Sequence, residues 1–204
     1  SIHDMFVTHA HTDHILGAVW MIRIIAQRAS NGHYSGRFRV YGHDKVLMVL
    51  DQICRMTLPV SVMGAINKYV EFCEVKHGDT LRLGDLNVQF FDIASTKEKQ
   101  FGFRALLPDG KSLACLGDEP YNEQNRAYAE GVDWLLCEAF CLYADRERFK
   151  PYEKHHSTAQ DAGRLAQQLG VKNLLLYHTE DTEEASREFS GMAYVPDDLE
   201  KILL

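Results

Sequence analysis

The chain has 204 residues, 46% of them hydrophobic, which is enough to bury a full core, and one domain over residues 1–204 is the economical reading. Its net charge of −7 argues against a protein that grips a nucleic-acid backbone over a wide surface, since that needs clustered Lys and Arg. No basic region followed by an apolar core opens the chain and no apolar run reaches membrane-spanning length, so a cytoplasmic protein without a membrane partner is expected.

Met5-Phe6-Val7 is a short strand-like run, and directly after it stands Thr8-His9-Ala10-His11-Thr12-Asp13-His14. In an extended segment alternate side chains share a face, so His9, His11 and Asp13 are expected to point into one space, with His14 joining as the chain turns into a helix. Two imidazoles on one side and a carboxylate with an imidazole on the other make two half-sites for divalent ions that take N and O ligands, zinc first among them. Ile15 to about Arg28 is apolar on nearly every side and predicts a mostly buried helix with Trp20 in the core, ended by Asn31-Gly32 and Ser35-Gly36. Arg37 to Tyr41 alternates as a strand, and a helix from about Asp44 to Met56 stops before Pro59.

From Val70 to Ile93 the period becomes two, with turns at His77-Gly78-Asp79 and Leu83-Gly84-Asp85. Gly102 to Leu107, Asp109-Gly110 and Ser112 to Leu116 read as a hairpin, because Asp-Gly is a favoured two-residue turn. Val132 to Cys137 is a further buried strand that includes Trp134, and Lys150 to Lys154 reads as a solvated turn. Thr158-Ala159-Gln160-Asp161 resembles a capping box that opens a helix closed by Gly170. Leu174 to Tyr177 is the last clear strand. His33, His43 and His77 fall in expected loops, and the five cysteines (Cys54, Cys73, Cys115, Cys137, Cys141) form no Cys-x-x-Cys pair and read as buried free thiols.

Two strands end in groups that bind metals. The run Leu113-Ala114-Cys115-Leu116-Gly117-Asp118 ends in a carboxylate, whose two oxygens can bridge two cations, and Leu174-Leu175-Leu176-Tyr177-His178 ends in an imidazole. Taken alone each is a weak signal; together with the first motif they point to a metal centre.

With these elements in this order the sequence resembles the metallo-β-lactamase superfamily, in its ribonuclease Z-like branch. The matching stretches are Thr8 to Gly17, Phe101-Gly102-Phe103-Arg104, Cys115 to Asp118, His156-Ser157-Thr158-Ala159-Gln160-Asp161-Ala162 and Leu174 to His178. The resemblance implies an α/β fold, the four-layer αβ/βα metallo-β-lactamase sandwich, with two metals in a groove at the strand ends. It implies that His9 and His11 bind one metal, that Asp13, His14 and His178 bind the other, and that Asp118 bridges them. His156 would lie beside the metals and support the leaving oxygen. Relatives are commonly dimers, which implies a homodimer.

Three departures qualify the resemblance. The family's third imidazole for the first metal is expected near Phe91 to Thr96, where Ala94 stands, and an alanine cannot ligate; water or Ser95 would complete that site. Family strands upstream of the His-rich motif, and a longer helical segment where this chain has only Thr179 to Ser190, are expected to be missing from the sequence. Cys137-Glu138-Ala139-Phe140 is a form of the branch's His-Glu-Ala-Thr element without its leading His.

The expected activity is that of a dinuclear metal-dependent hydrolase, a phosphodiesterase acting on a small nucleotide-like or cyclic phosphodiester. Zinc is the first choice, with manganese or iron as alternatives. A water whose pKa the metals lower from 15.7 towards about 7 would attack phosphorus in line, oriented by Asp13 or Asp118, while His156 stabilises the departing oxygen. Lactams, thioesters and lactones stay open as substrates. A transfer-RNA 3′-processing endonuclease is the runner-up, because no basic arm for transfer RNA lies between Tyr41 and Asp79. A metal-poor, non-catalytic binding protein is the third reading, favoured by Ala94 alone.

Overall fold

In a computed structural model the described residues are 2–179, 183–197, 200 and 202, and they divide into two compact units, residues 1–77 and 78–204. The first unit is a three-stranded parallel sheet of order β1-β2-β3 with three helices. Its strands are β1 (Asp4–Phe6), β2 (Phe38–Gly42) and β3 (Val70–Glu74), and Met5 pairs with Val40 and Val40 with Phe72 across the sheet. Parallel neighbours need long crossovers, which α1 (Thr12–Ser30) provides between β1 and β2, and α2 (Asp44–Thr57) with α3 (Val60–Tyr69) between β2 and β3. Ile22, Phe38, Val40, Val46 and Leu50 are wholly buried in its core.

One expectation for this unit needs correction. Trp20 is not core: it is 57% exposed, with Leu16 at 56%, and the Arg23 guanidinium lies 4.9 Å over the indole ring. A helix packed on one side buries one stripe, here Ile15, Ala18, Val19, Ile22, Ile25, Ala26 and Ala29, and an apolar residue off that stripe is left outside however hydrophobic the helix is. Helix α3 was not legible either. Pro59 fits the position before its first residue, and the burial of Val62, Ala65 and Ile66 holds the helix despite its β-branched opening.

The second unit is a seven-stranded sheet of order β10-β9-β8-β7-β6-β5-β4. Strands β4 (Thr80–Leu83), β5 (Leu86–Asp92), β6 (Phe101–Leu106) and β7 (Ser112–Cys115) form an antiparallel meander. From β7 onward the sheet is parallel, through β8 (Trp134–Glu138), β9 (Asn173–Tyr177) and β10 (Met192–Tyr194). β10 lies beyond the strand expected to be last; a three-residue edge strand carries too little pattern to be read from sequence. Short helices α4 (Arg126–Ala129) and α5 (Arg146–Phe149) precede α6 (Ala159–Leu169), and α7 (Glu183–Glu188) occupies part of the run from Thr179 to Ser190, whose residues 180–182 lie outside the described set.

The expected capping box is formed: the Thr158 hydroxyl accepts from the Asp161 N–H, and the Asp161 carboxylate accepts from the Thr158 N–H. Gly102 is required by space, since a Cβ there would lie 2.4 Å from the Cys115 carbonyl oxygen and 2.8 Å from the Phe91 ring. At the opposite edge from the site, Asp133 ties the starts of β7, β8 and β9 together. Its carboxylate accepts from the Ser112 N–H at 2.8 Å and from the Lys172 ammonium at 2.5 Å, while its carbonyl accepts from the Asn173 N–H at 3.0 Å. Leu135 pairs with both Ala114 and Leu174, and Glu138 with Tyr177, so the three parallel strands finish along one edge. Side chains on the loops leaving the C-terminal ends of such strands converge, which is where parallel α/β sheets carry their chemistry.

Candidate metal centre

The first unit supplies a histidine cluster from one continuous stretch. His9 is wholly buried, its Nδ1 lies 2.9 Å from the Thr8 hydroxyl, and its Nε2 lies 3.0 Å from Nδ1 of His11. The His14 ring sits 4.2 Å from that of His9, centroid to centroid, and its Nε2 is 3.4 Å from the Asp13 carboxylate. Helix α1 starts at Thr12, so Asp13 stands in its first turn and not in the extended segment that was expected to align it with His9 and His11. The carboxylate suits that place, because the N-terminal turn of a helix favours negative charge. The extended backbone ends at His11, which lies directly before the helix with ψ 152°.

The second unit supplies its groups from four separate places. Gly117, at φ 75°, turns the chain out of β7 and delivers the buried Asp118. The Tyr177 hydroxyl donates to the Gly117 carbonyl and ties the end of β9 to this turn. Next to Tyr177, His178 takes a left-handed backbone at φ 68°, and its Nδ1 lies 2.9 Å from Asp118 Oδ1. His156 Nδ1 lies 3.8 Å from the same oxygen and 3.4 Å from Oε2 of Glu138. Glu138, the last residue of β8, is wholly buried, and its Oε1 accepts from the Ser157 N–H at 2.6 Å and from the Ser157 hydroxyl at 2.7 Å. The Phe140 ring stacks on His156 at 4.7 Å and 13°.

Sequence reasoning did not assign roles to Glu138 or Lys97. The Lys97 ammonium lies 3.0 Å from the Asp118 carbonyl oxygen and 3.3 Å from Nε2 of His156. The Glu138 element marks only the branch, and a lysine within Lys97-Glu98-Lys99 carries no signal that separates it from a solvated charge. Ala94, at φ 57°, lines a cavity of about 220 Å³ with Ser95, Thr96, Glu119, Tyr121 and His155. Burial alone would raise the Glu119 carboxyl, but hydrogen bonds from Ser95 and Thr96 hold it below the usual carboxylate range. A larger cavity, about 570 Å³, opens beside His178 between Phe140, Leu142, Asp145 and Phe149.

The donor set suits a divalent cation of zinc type. Two imidazole nitrogens at 3.0 Å in the first unit, and ligand atoms of Asp118, Glu138 and His156 within 4.8 Å of one another in the second, are the N and O donors such ions take. In the second group, Oε2 of Glu138 and Nδ1 of His156 are buried without a hydrogen-bond partner among the described residues, which a cation or a substrate would relieve. The thiols do not compete for that role. Burial pushes Cys54 up to about 11 and raises Cys115 and Cys137 as well, so these remain protonated near neutral pH.

The family model described as beta-lactamase superfamily domain matches residues 1–179, a span that runs through both units. The chain belongs to the beta-lactamase superfamily. An uncharacterized protein of Mycobacterium tuberculosis is 31% identical over 202 residues, covering 94% of this chain and 69% of the relative. A ribonuclease Z of Bradyrhizobium diazoefficiens is 24% identical over 248 residues, covering 95% of this chain and 79% of the relative. Among solved structures, the metallo-beta-lactamase fold protein YhfI of Bacillus subtilis superposes with a TM-score of 0.69 at 19% identity, over 95% of this chain and 74% of that one. A diphosphatase of the PhnP family gives a TM-score of 0.69 at 22% identity, over 94% of this chain and 67% of that one. The fold is therefore the metallo-β-lactamase fold, as the resemblance implied, and the superfamily place is ribonuclease Z-like. Members of this superfamily are typically hydrolases. Among the described residues, no helix is long and apolar enough to cross a membrane.

Proposed function

We propose that this superfamily member is a metal-dependent phosphodiesterase that acts on small nucleotide-like or cyclic phosphodiesters through two divalent ions, with zinc favoured by the ligand types. In this reading the ligands are those the resemblance implies, His9, His11, Asp13 and His14 of the first unit and Asp118 and His178 of the second. The observation that carries it is the buried Asp118 carboxylate faced by His178 and His156 at the adjoining ends of three parallel strands. When bound, the ions polarise the phosphoryl group and make a water nucleophilic at neutral pH.

The chain's own residues do the rest. Asp118 orients the attacking water by accepting its hydrogen bond. Glu138 holds the His156 ring beside Asp118, and an N–H of that ring stabilises the charge that develops on the departing oxygen. The cavity between Phe140, Leu142 and Phe149 receives the apolar or aromatic part of the substrate.

The likeness to a ribonuclease Z and to a diphosphatase supports phosphorus chemistry, and the net charge of −7 favours a small substrate over a long RNA. Zinc-supplied protein should bind about two ions per chain and hydrolyse bis(p-nitrophenyl) phosphate and cyclic nucleotides faster than it trims precursor transfer RNA. Metal-loaded protein that leaves every phosphodiester intact while it opens lactones or thioesters would refute this reading.

A further inference from the structure

We propose that Lys97 is a substrate-binding residue of this site, whose ammonium takes an anionic oxygen of the phosphoryl group beside His156. The inference rests on the phosphodiesterase reading for the identity of the substrate, and on the geometry of Lys97 for the contact itself.

Lys97 lies in the loop between β5 and β6, and that loop is held at several points. The Ala94 N–H donates to Asp92 at 2.8 Å, the Thr96 N–H donates to the buried Glu119 at 2.8 Å, and the Lys97 and Glu98 N–H groups both donate to the Ser95 hydroxyl, at 3.2 and 3.3 Å. The side chain is half-buried, and its ammonium reaches the Asp118 carbonyl oxygen at 3.0 Å and Nε2 of His156 at 3.3 Å. An ammonium has three N–H donors and no acceptor. One is therefore spent on the Asp118 carbonyl and one faces His156, and among the described residues the third has no hydrogen-bond partner, while the Lys97 charge also helps to lower the Glu119 carboxyl.

The contact also places the Lys97 charge beside the His156 ring, whose Nδ1 lies 3.4 Å from Oε2 of Glu138. An oxygen that approaches Nε2 of His156 thus meets a fixed positive charge at the same place. A phosphodiester carries one negative charge shared over its non-bridging oxygens, whereas a neutral lactone or ester carries none. A charge-assisted bond from Lys97 therefore selects for the former. Lys97 stands three residues after Ala94, the position where the resemblance implies a third imidazole.

The test uses zinc-loaded protein and inorganic phosphate as the probe, with affinity read by calorimetry and metal content measured in every sample. Lys97→Met should weaken phosphate binding by about ten- to a hundredfold, the range for losing a hydrogen bond to a charged group, at unchanged metal content. Lys97→Arg should recover part of that affinity. Lys99→Met, which removes the same charge two residues away, should leave it within about twofold. Lys97→Gln serves in the same role if the methionine variant does not fold. Equal phosphate affinity in the Lys97→Met and Lys99→Met proteins, no phosphate binding by the parent protein, or loss of metal from the Lys97 variants would each overturn the assignment. Lys97-dependent phosphate binding in a protein that cleaves no phosphodiester would instead defeat the phosphodiesterase reading and leave the Lys97 contact standing.

Discussion

The two histidine-bearing clusters are built in opposite ways. In the first unit, His9, His11, Asp13 and His14 lie within six consecutive residues, and the passage from extended backbone into the first turn of α1 sets their arrangement. In the second, Asp118, Glu138, His156 and His178 come from the ends of three strands and the approach to α6, and strand register sets theirs. A local cluster is robust to changes elsewhere but limited to what neighbouring side chains can reach. An assembled cluster can bury a carboxylate such as Glu138 with each oxygen aimed at a chosen partner, and its geometry then depends on the whole sheet.

The largest effect is expected where the assembled cluster has its centre. Asp118→Ala should lower phosphodiester hydrolysis by about 10³-fold and reduce bound metal, because even residues that only orient ligands typically cost 10–100-fold. If the two clusters serve the same ions, His9→Ala should lose metal in the same way, measured by elemental analysis of the purified variants. Full metal content in the Asp118 variant would separate the clusters and leave the centre to the first unit alone.

His156→Ala comes next. It should keep its metal and lose roughly 100-fold in turnover, as expected of a group that acts on the departing oxygen. A variant that also loses metal would make His156 a ligand, in keeping with the 4.8 Å grouping of its donor atom with those of Asp118 and Glu138.

The smallest effect tests the register that assembles the second cluster. The Lys172 ammonium, with hydrogen bonds from Ser112, holds the Asp133 carboxyl down at about 2. Its folded value lies below its unfolded one, so this stabilisation is fully present above about pH 4 and fades as pH falls through about 2. Asp133→Asn should therefore lower the melting temperature at pH 7, and the gap to the parent protein should close between about pH 4 and pH 2. A gap that stays constant over that range would mean that the Asp133 charge adds nothing to the joining of β7, β8 and β9.

Much of the site could be read in the sequence because the relevant information is local. The spacing within Thr8 to His14, the apolar runs ending at Asp118 and His178, the Asp109-Gly110 hairpin and the Thr158/Asp161 capping box each involve residues within a few positions of one another. Backbone geometry acts directly on such patterns. Asp13 marks the edge of this legibility: strand alternation covers His9 and His11, but α1 begins at Thr12, one residue before Asp13.

What the tertiary structure alone decided are the relations between residues far apart in the chain. Trp20 lies off the buried stripe of α1 because only one side of that helix packs into the core of its unit, chiefly against α3 and α2, and apolar composition does not say which side. Lys97 meets His156 across 59 positions of sequence, and Glu138 meets Ser157 across 19. These contacts follow from which strands pair and in what register, and from a loop held by hydrogen bonds to Asp92, Ser95 and Glu119. The sequence by itself determined the ligand types and the strand ends that carry them. The sheet decided which cation and which carboxylate stand beside them, because long-range pairing is selected by burial over the whole sheet and leaves no periodic trace around a single lysine.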